Sequence, residues 1–244
     1  MPTRTILELW GITPEYLTLV VEQNPSLRGM ILGYIAERKL LDLFHADHRI
    51  SGLRKDDDHD RTKKGDMVFD YRGQEFKVEV KSLQTNSIKI MEAGEWLPMM
   101  NKVRVPGSGK PKYRYVVNQT FLQVPLIRRE AACYRGDVQC DASDKRDVEL
   151  PDGSIVQTTN LRVGEFDILA AGAFAFREKW DFSFAKNSDL PRSVSRKYTE
   201  YQQRHLLATL IPVTWPPEPP FTADPFPLLD ELLAKRRPKR NRGR

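Results

Sequence analysis

Residues 64–81 read Lys64-Gly65-Asp66-Met67-Val68-Phe69-Asp70-Tyr71-Arg72-Gly73-Gln74-Glu75-Phe76-Lys77-Val78-Glu79-Val80-Lys81. Two alternating apolar and polar runs flank Arg72-Gly73, a composition that suits a tight hairpin. With that dipeptide as a two-residue loop, Tyr71 faces Gln74, Phe69 faces Phe76, Met67 faces Val78 and Asp66 faces Glu79. Side chains alternate along a strand, so Asp66, Glu79 and Lys81 share one face. Like charges opposed across a hairpin repel, by roughly 3 kcal/mol at about 5 Å and an effective dielectric near ~20. A bound divalent cation reverses that sign. Val80, between the two charged residues, adds a backbone carbonyl as a hard ligand and a side chain for the core. The stretch reads as half of a metal site with a lysine beside it. A three-residue loop would break this register and the reading with it.

Upstream, residues 4–23 read as helical, with Ile6, Leu7, Trp10, Leu17, Leu19 and Val20 as expected core and Pro14 starting a second short helix. A stronger helix follows from Ser26 to Phe44, where Met30, Gly33, Tyr34, Glu37, Leu40, Leu41 and Phe44 recur at helical spacing. Glu37 interrupts that mostly apolar stripe. A carboxylate is rarely buried without a partner, so Glu37 either pairs with an arginine or joins the hairpin carboxylates. Residues 45–65 read as a polar loop. Its His45, His48 and Lys55-Asp56-Asp57-Asp58-His59-Asp60 run fits no standard metal-ligand spacing.

Downstream, residues 84–115 are irregular and basic, with Lys102, Arg104, Lys110, Lys112 and Arg114 around Pro106-Gly107-Ser108-Gly109. Such a loop, interleaved with Tyr113 and Tyr115, suits phosphate and base contacts; an exposed hairpin is the plainer alternative. Residues 116–127 and 133–185 read as mostly strand, with a turn at Pro151-Asp152-Gly153. Phe166 to Ala171 is a buried strand, and Trp180 to Phe184 pairs beside it. Asp167, inside that apolar run, is expected to meet a buried arginine or a backbone partner. Asp141 and Glu165 are further acids. Residues 193–210 read as a helix. Proline at 212, 216, 217, 219, 220, 225 and 227 suggests an extended linker, 211–227, followed by a short helix and a basic tail within 228–244.

The chain has 244 residues and is 40% hydrophobic, enough for one medium domain with appendages. It has no apolar run long enough to cross a membrane and no signal-peptide core, so a cytoplasmic protein is expected. Two cysteines give no disulfide framework. Seven lysines and arginines lie between Lys235 and Arg244; without them the net charge of +6 becomes −1. The basic character is largely a property of the tail, the usual footprint of a polyanion-binding arm.

Phosphodiester hydrolysis needs a divalent cation to neutralise charge and activate water, carboxylates to hold that cation, and a positive group near the nucleophile. Asp66, Glu79 and Lys81 supply these roles. Asp66, twelve intervening residues and then Glu79-Val80-Lys81 resemble the signature of the PD-(D/E)XK nuclease superfamily, to which restriction endonucleases belong. The helix at Gly33-Tyr34-Ile35-Ala36-Glu37 looks like its first core helix. Gly65 stands where the signature has proline. The likeness spans about residues 26–185, within a single domain of 1–210.

The resemblance implies an α/β (α+β) fold, a mixed central sheet flanked by helices with an extra β-rich insertion. It implies Asp66 and Glu79 as metal ligands with the Val80 carbonyl, Lys81 as the water-activating cation, and Glu37 as a further carboxylate. It further implies Mg²⁺, for which Mn²⁺ can substitute, double-stranded DNA as substrate, a homodimer, and a cognate DNA methyltransferase in the same system. Gln84, Lys102, Arg104, Lys110, Lys112 and Arg114 are the expected DNA contacts. A repair or structure-specific nuclease of the same fold, or a noncatalytic DNA-binding protein, are the alternatives. Asp70 is a competing first carboxylate nearer the turn.

Overall fold

The computed structural model describes residues 4–55, 65–83, 87–91, 100–104, 113–117 and 133–236. Three helices open the chain: α1 (Ile6–Trp10), α2 (Pro14–Gln23) and α3 (Pro25–His45). Thr5 and Glu8 form a reciprocal capping box on α1, and Gly11 ends it at a φ of 64°. Thr13 caps α2, and Pro14 and Pro25 occupy first turns, where a missing N–H costs nothing. The expected helices are therefore present, but their expected core is not. No residue of α1 or α2 is buried, so Ile6, Leu7, Trp10, Leu17, Leu19 and Val20 lie outside the core. On α3 only Ala36, Leu40 and Phe44 are buried, four residues apart. The sheet packs against the C-terminal half of α3 and leaves Met30 and Tyr34 more than half exposed.

The central sheet has five strands in the order β1 (Ile50–Lys55), β2 (Met67–Tyr71), β3 (Gln74–Ser82), β10 (Ile168–Gly172) and β11 (Phe182–Lys186). β1, β2 and β3 are successive antiparallel neighbours, β10 runs parallel to β3, and β11 is antiparallel to β10. β1 corrects the reading of 45–65 as loop throughout. A bulge between Ser51 and Arg54, with Gly52 at φ 58°, puts Ile50 and Leu53 three residues apart and hides the strand's period of two. Phe76, Val78 and Val80 share one core with α3, Met67, Phe69 and Tyr71. Leu169 and Ala171, which pair with Glu79 and Lys81, belong to a second core on the other face.

Between β3 and β10 lies the β-rich insertion. It contains β4 (Lys89–Met91), the hairpin β5 (Met100–Arg104) and β6 (Tyr113–Val117), β7 (Cys133–Gln139), and the hairpin β8 (Asp141–Glu149) and β9 (Ile155–Asn160). The turn at 151–153 joins β8 and β9, as expected. A short α4 (Phe174–Arg177) follows β10.

The C-terminal third departs most from expectation. The helix expected over 193–210 shrinks to α5 (Glu200–His205), because a capping box at Thr199 and Gln202 starts it late and bridges at Leu206 and Leu207 stop it. The proline-rich stretch expected as a linker includes a strand, β12 (Leu210–Trp215), on the edge of a sheet ordered β12–β7–β4. Pro212 is tolerated because an edge strand needs hydrogen bonds on one side only. Phe221 is buried and Thr222 pairs with Phe184 of β11.

The final helix, α6 (Phe226–Arg236), is part of the main core. Phe226, Leu228, Leu229 and Leu233 pack with α3 and β2. Tyr71 donates its hydroxyl to Asp230 at 2.9 Å. Arg236 donates to the Glu75 carbonyl at 2.6 Å, pairs with Asp167 and covers the Phe76 ring. Asp167 thus meets an exposed arginine where a buried one was one expectation, and has the backbone partner that was the other, Lys77 N–H donating to its second oxygen at 2.8 Å. Residues 237–244 of the tail lie outside the described residues.

Burying four such side chains stabilises the fold by roughly 1.5–3 kcal/mol each, together comparable with the whole stability of about 5–15 kcal/mol for a domain. A chain ending at Pro225 is therefore expected not to fold, whereas one ending at Arg236 should melt with the full-length protein. Circular dichroism melts of both truncations check this; a folded chain lacking α6 would contradict it.

Candidate functional site

The hairpin has the expected register. Tyr71 pairs with Gln74, Phe69 with Phe76 and Met67 with Val78. Arg72 and Gly73 both have positive φ, 50° and 75°, as a two-residue hairpin turn requires. Past Met67 the ladder bends. Asp66 N–H donates to the Val78 carbonyl at 2.9 Å, so Asp66 and Met67 both lie opposite Val78, and Asp66 does not face Glu79 as the hairpin count expected. Gly65 allows the bend: its φ is 86°, and a Cβ there would meet the Val78 carbonyl oxygen at 3.2 Å. The Asp66 carboxylate then turns onto β3 and accepts from Val80 N–H at 2.7 Å. In an extended strand the N–H and C=O of one residue point to the same edge. The Val80 carbonyl therefore leaves β3 on the side where Asp66 sits, beyond the end of β2.

Glu79 and Lys81 stand two residues apart on the opposite face from α3, their charged ends 2.7 Å apart. Glu79 is 8% exposed. Burial pushes its carboxyl up to about 7; Lys81 opposes that shift and the neighbouring charges of Asp66 and Glu165 add to it. Burial works against the charge on Lys81, yet Glu79 and then Asp66 outweigh it and hold the ammonium above the ordinary lysine range. Asp66, Glu79 and Lys81 thus act on one another electrically, as expected of a single cluster. Asp70 does not share it: it pairs opposite Glu75, four residues or about 13 Å back along β3.

Two neighbours were not placed beside the cluster from the sequence. Glu165, in the loop before β10, meets Arg146 of β8 through both oxygens at 2.6 Å and accepts from Arg162 N–H at 2.8 Å. Cys140 is buried beside the cluster, and burial, then Glu79, push its thiol up to about 12. It is a packed, unreactive thiol. Nothing in the local sequence pairs Arg146 with Glu165, nineteen residues apart; only the folded insertion joins them.

Glu37 is held differently. Ala36 lies against Gly172, where an added Cβ would stand 3.5 Å from Ala36 Cβ and 3.7 Å from the Lys81 carbonyl oxygen, so α3 passes over the same end of the sheet. The Glu37 carboxylate, however, meets Lys55 of β1 at 2.7 Å, and that lysine also covers the Tyr34 ring. The partner is a lysine, where the pairing alternative named an arginine and the other alternative placed Glu37 with the hairpin carboxylates. Of the expected DNA contacts, Lys102, Arg104 and Arg114 fall on the β5–β6 hairpin. Gln84, Lys110 and Lys112 lie outside the described residues.

Among the described residues, no group of three or more His, Cys, Asp or Glu side chains converges as a metal cage. Two carboxylates and a carbonyl would have to suffice. That donor set fits Mg²⁺, which keeps several waters and takes one or two carboxylates.

Compared with known proteins, the chain matches no family model, no curated protein and no solved structure.

Two expectations follow. Glu79 binds its proton more tightly folded than unfolded, so its contribution to stability is full below about 4.5 and is lost as the pH rises through about 7. Without divalent cations, wild type should lose on the order of 2 kcal/mol between pH 5 and pH 8 relative to Glu79→Gln. Urea denaturation at both pH values measures this, and parallel pH profiles would contradict it. Replacing Arg146 by Ala strands the Glu165 carboxylate, 8% exposed in its side chain, and should cost about 3–5 kcal/mol. A melt within a degree or two of wild type would show the pair to be dispensable.

Proposed function

We propose that this chain is a metal-dependent endonuclease of the PD-(D/E)XK kind. It would hydrolyse phosphodiester bonds in double-stranded DNA, with site-specific cleavage of the restriction type. One observation carries the reading. The hairpin brings the Asp66 carboxylate onto the Val80 amide, next to Glu79 and Lys81, which touch on one strand. The mixed central sheet with helices packed on it is consistent with the fold that the signature implies.

Asp66, Glu79 and the Val80 carbonyl would hold Mg²⁺, or Mn²⁺ in its place. Once bound, the cation supplies charge neutralisation at the phosphate and a lower pKa for a coordinated water. Lys81 keeps its proton, since both carboxylates favour the ammonium. Its role in this reading is a fixed positive charge beside the attacking water and the pentavalent phosphate, not a base. Burial of Glu79 and Lys81 strengthens that charge by lowering the local dielectric. Glu37 can serve as a further carboxylate only when Lys55 releases it.

The basic β5–β6 hairpin and the residues around it are the proposed DNA-reading surface, with the tail beyond Arg236 adding sequence-independent affinity. A methyltransferase of the same specificity is the partner expected for a restriction activity. No described helix is long and apolar enough to cross a membrane.

Digestion of unmethylated plasmid and phage DNA with Mg²⁺ tests the reading. Wild type should give discrete fragments, and Asp66→Asn, Glu79→Gln and Lys81→Ala should each lose about 10³-fold in rate or more. A smear, or cleavage confined to branched or single-stranded DNA, would replace restriction by a repair or structure-specific nuclease. Cleavage that survives chelation or all three substitutions would overturn the site. No cleavage of any of these substrates would leave DNA binding without catalysis.

A further inference from the structure

The sheet ordered β12–β7–β4 sets two cations side by side. Lys89 of β4 stands directly opposite Arg135 of β7, and Arg135 stands opposite Thr214 of β12. Residues paired in this way carry their side chains on one face, with Cβ atoms about 4.5–5.5 Å apart. That face is turned away from the second core, because the alternate residues Tyr134 and Val138 pack into it. Lys89 is exposed and Arg135 is half-buried. Like charges directly opposite one another destabilise a pair of strands. A lysine on an edge strand is an ordinary guard against further pairing, which accounts for Lys89 taken alone. Arg135 has no such reason, since β7 is the central strand of the three.

The three strands carry one carboxylate, Asp137, two residues along β7 on the same face and opposite Pro212. It forms no ion pair with Arg135, and among the described residues neither cation has a carboxylate partner. Two opposed cations without an acid make a seat for an anion that offers more than one oxygen, as a phosphodiester does. Their place in the fold says which anion reaches them. Leu83, two residues beyond Lys81, bridges to Val138, three residues from Arg135 on β7. That path is at most about 22 Å, at ~3.3 Å per residue and ~4.8 Å between strands. One DNA strand carries a phosphate every ~3.4 Å of axis, so the path spans about six phosphates. β4 enters and β7 leaves the part of the insertion that holds the β5–β6 hairpin, so the pair stands at the root of the proposed reading surface.

We propose that Lys89 and Arg135 hold a backbone phosphate of bound DNA, within about six nucleotides of the scissile bond. The contact fixes the position of the duplex and reads no base. The choice of DNA rests on the nuclease reading, whereas the anion seat follows from the two strands alone and uses no residue of the carboxylate cluster.

Fluorescence anisotropy of the full-length chain with labelled duplexes, in EDTA and over a range of salt, is the test. The double variant Lys89→Gln with Arg135→Gln should bind on the order of 10-fold more weakly at about 0.1 M salt, and its slope of log affinity against log salt should flatten by about one. The loss should be equal on duplexes of different sequence. Removing either of two opposed like charges relieves repulsion, so each single variant should melt at or above the wild-type temperature by circular dichroism. Unchanged affinity and slope in the double variant overturn the proposal and leave the nuclease reading standing. Weaker binding with a lower melt shows a structural role and overturns it as well. Binding that depends on the pair, in a protein that cleaves no DNA, supports the seat and sinks the catalytic reading. A wild type that binds no duplex overturns the DNA assignment, and stabilisation by inorganic phosphate through these two residues would then give the seat to a free anion.

Discussion

The Arg72-Gly73 turn sets the register of β2 on β3, and the carboxylate cluster depends on that register. Side chains alternate with a period of two, so a slip of one residue would send Glu79 and Lys81 into the core under α3 and turn Val78 and Val80 to the other face. A two-residue loop of this hand needs positive φ at both positions. Gly73 meets that need at little cost, whereas Arg72 is a non-glycine residue at φ 50°, a conformation costing on the order of 1 kcal/mol. Its side chain offsets the strain by pairing with Asp230 of α6 at 3.0 Å and lying over the Tyr71 ring. The C-terminal helix therefore steadies the turn that positions the site. The same helix reaches β10 through the Arg236–Asp167 pair and joins both neighbours of β3 to one support.

Within that frame, the structure places charge where apolar packing would be more stable. Glu79 sits between Val78 and Val80 on the central strand and pairs across to Leu169, in a layer of buried apolar side chains. A buried acid–lysine pair gains no more than a well-packed apolar pair of the same volume. Here a second carboxylate, Asp66, stands close enough to raise the proton affinity of the first, and Glu165 adds to the effect. Groups perturbed in this way, by burial together with a specific like charge, are characteristic of sites that do chemistry. Arg146 neutralises Glu165 from the inserted hairpin. The insertion thereby reaches the cluster electrically as well as by packing.

The parts of the fold that could be read from the sequence are those where one period or one composition held over several residues. The β2–β3 register and the long α3 follow from local alternation and helical spacing, the buried β10 from a continuous apolar run, and the turn between β8 and β9 from its Pro151-Asp152-Gly153 composition. β1 was hidden because its bulge places Ile50 and Leu53 out of step. β12 was hidden because proline density suggests a linker, whereas an edge strand tolerates Pro212 and a core accepts Phe221; the helix α6 was expected, but not its place in the main core. The apolar residues of α1 and α2 satisfied helical spacing, but spacing cannot say what covers a helix. In the candidate site, the shared face of Glu79 and Lys81 followed from counting along the hairpin, whereas the count put Asp66 opposite Glu79 and the structure has it opposite Val78. The bend at Gly65, the Asp66–Val80 bond, the Glu37–Lys55 pair and the Arg146–Glu165 pair did not follow from it, since each depends on how distant segments meet.

The central claim is that Asp66, Glu79 and the Val80 carbonyl form one site for a hard divalent cation at the end of β3. Anomalous diffraction from crystals grown or soaked with Mn²⁺ tests it most directly. A single strong peak within about 2.2 Å of an oxygen of each of Asp66, Glu79 and Val80 is the predicted result, and it should be absent from Asp66→Asn crystals under the same conditions. A peak held by other residues, or none in crystals saturated with Mn²⁺, would contradict the account.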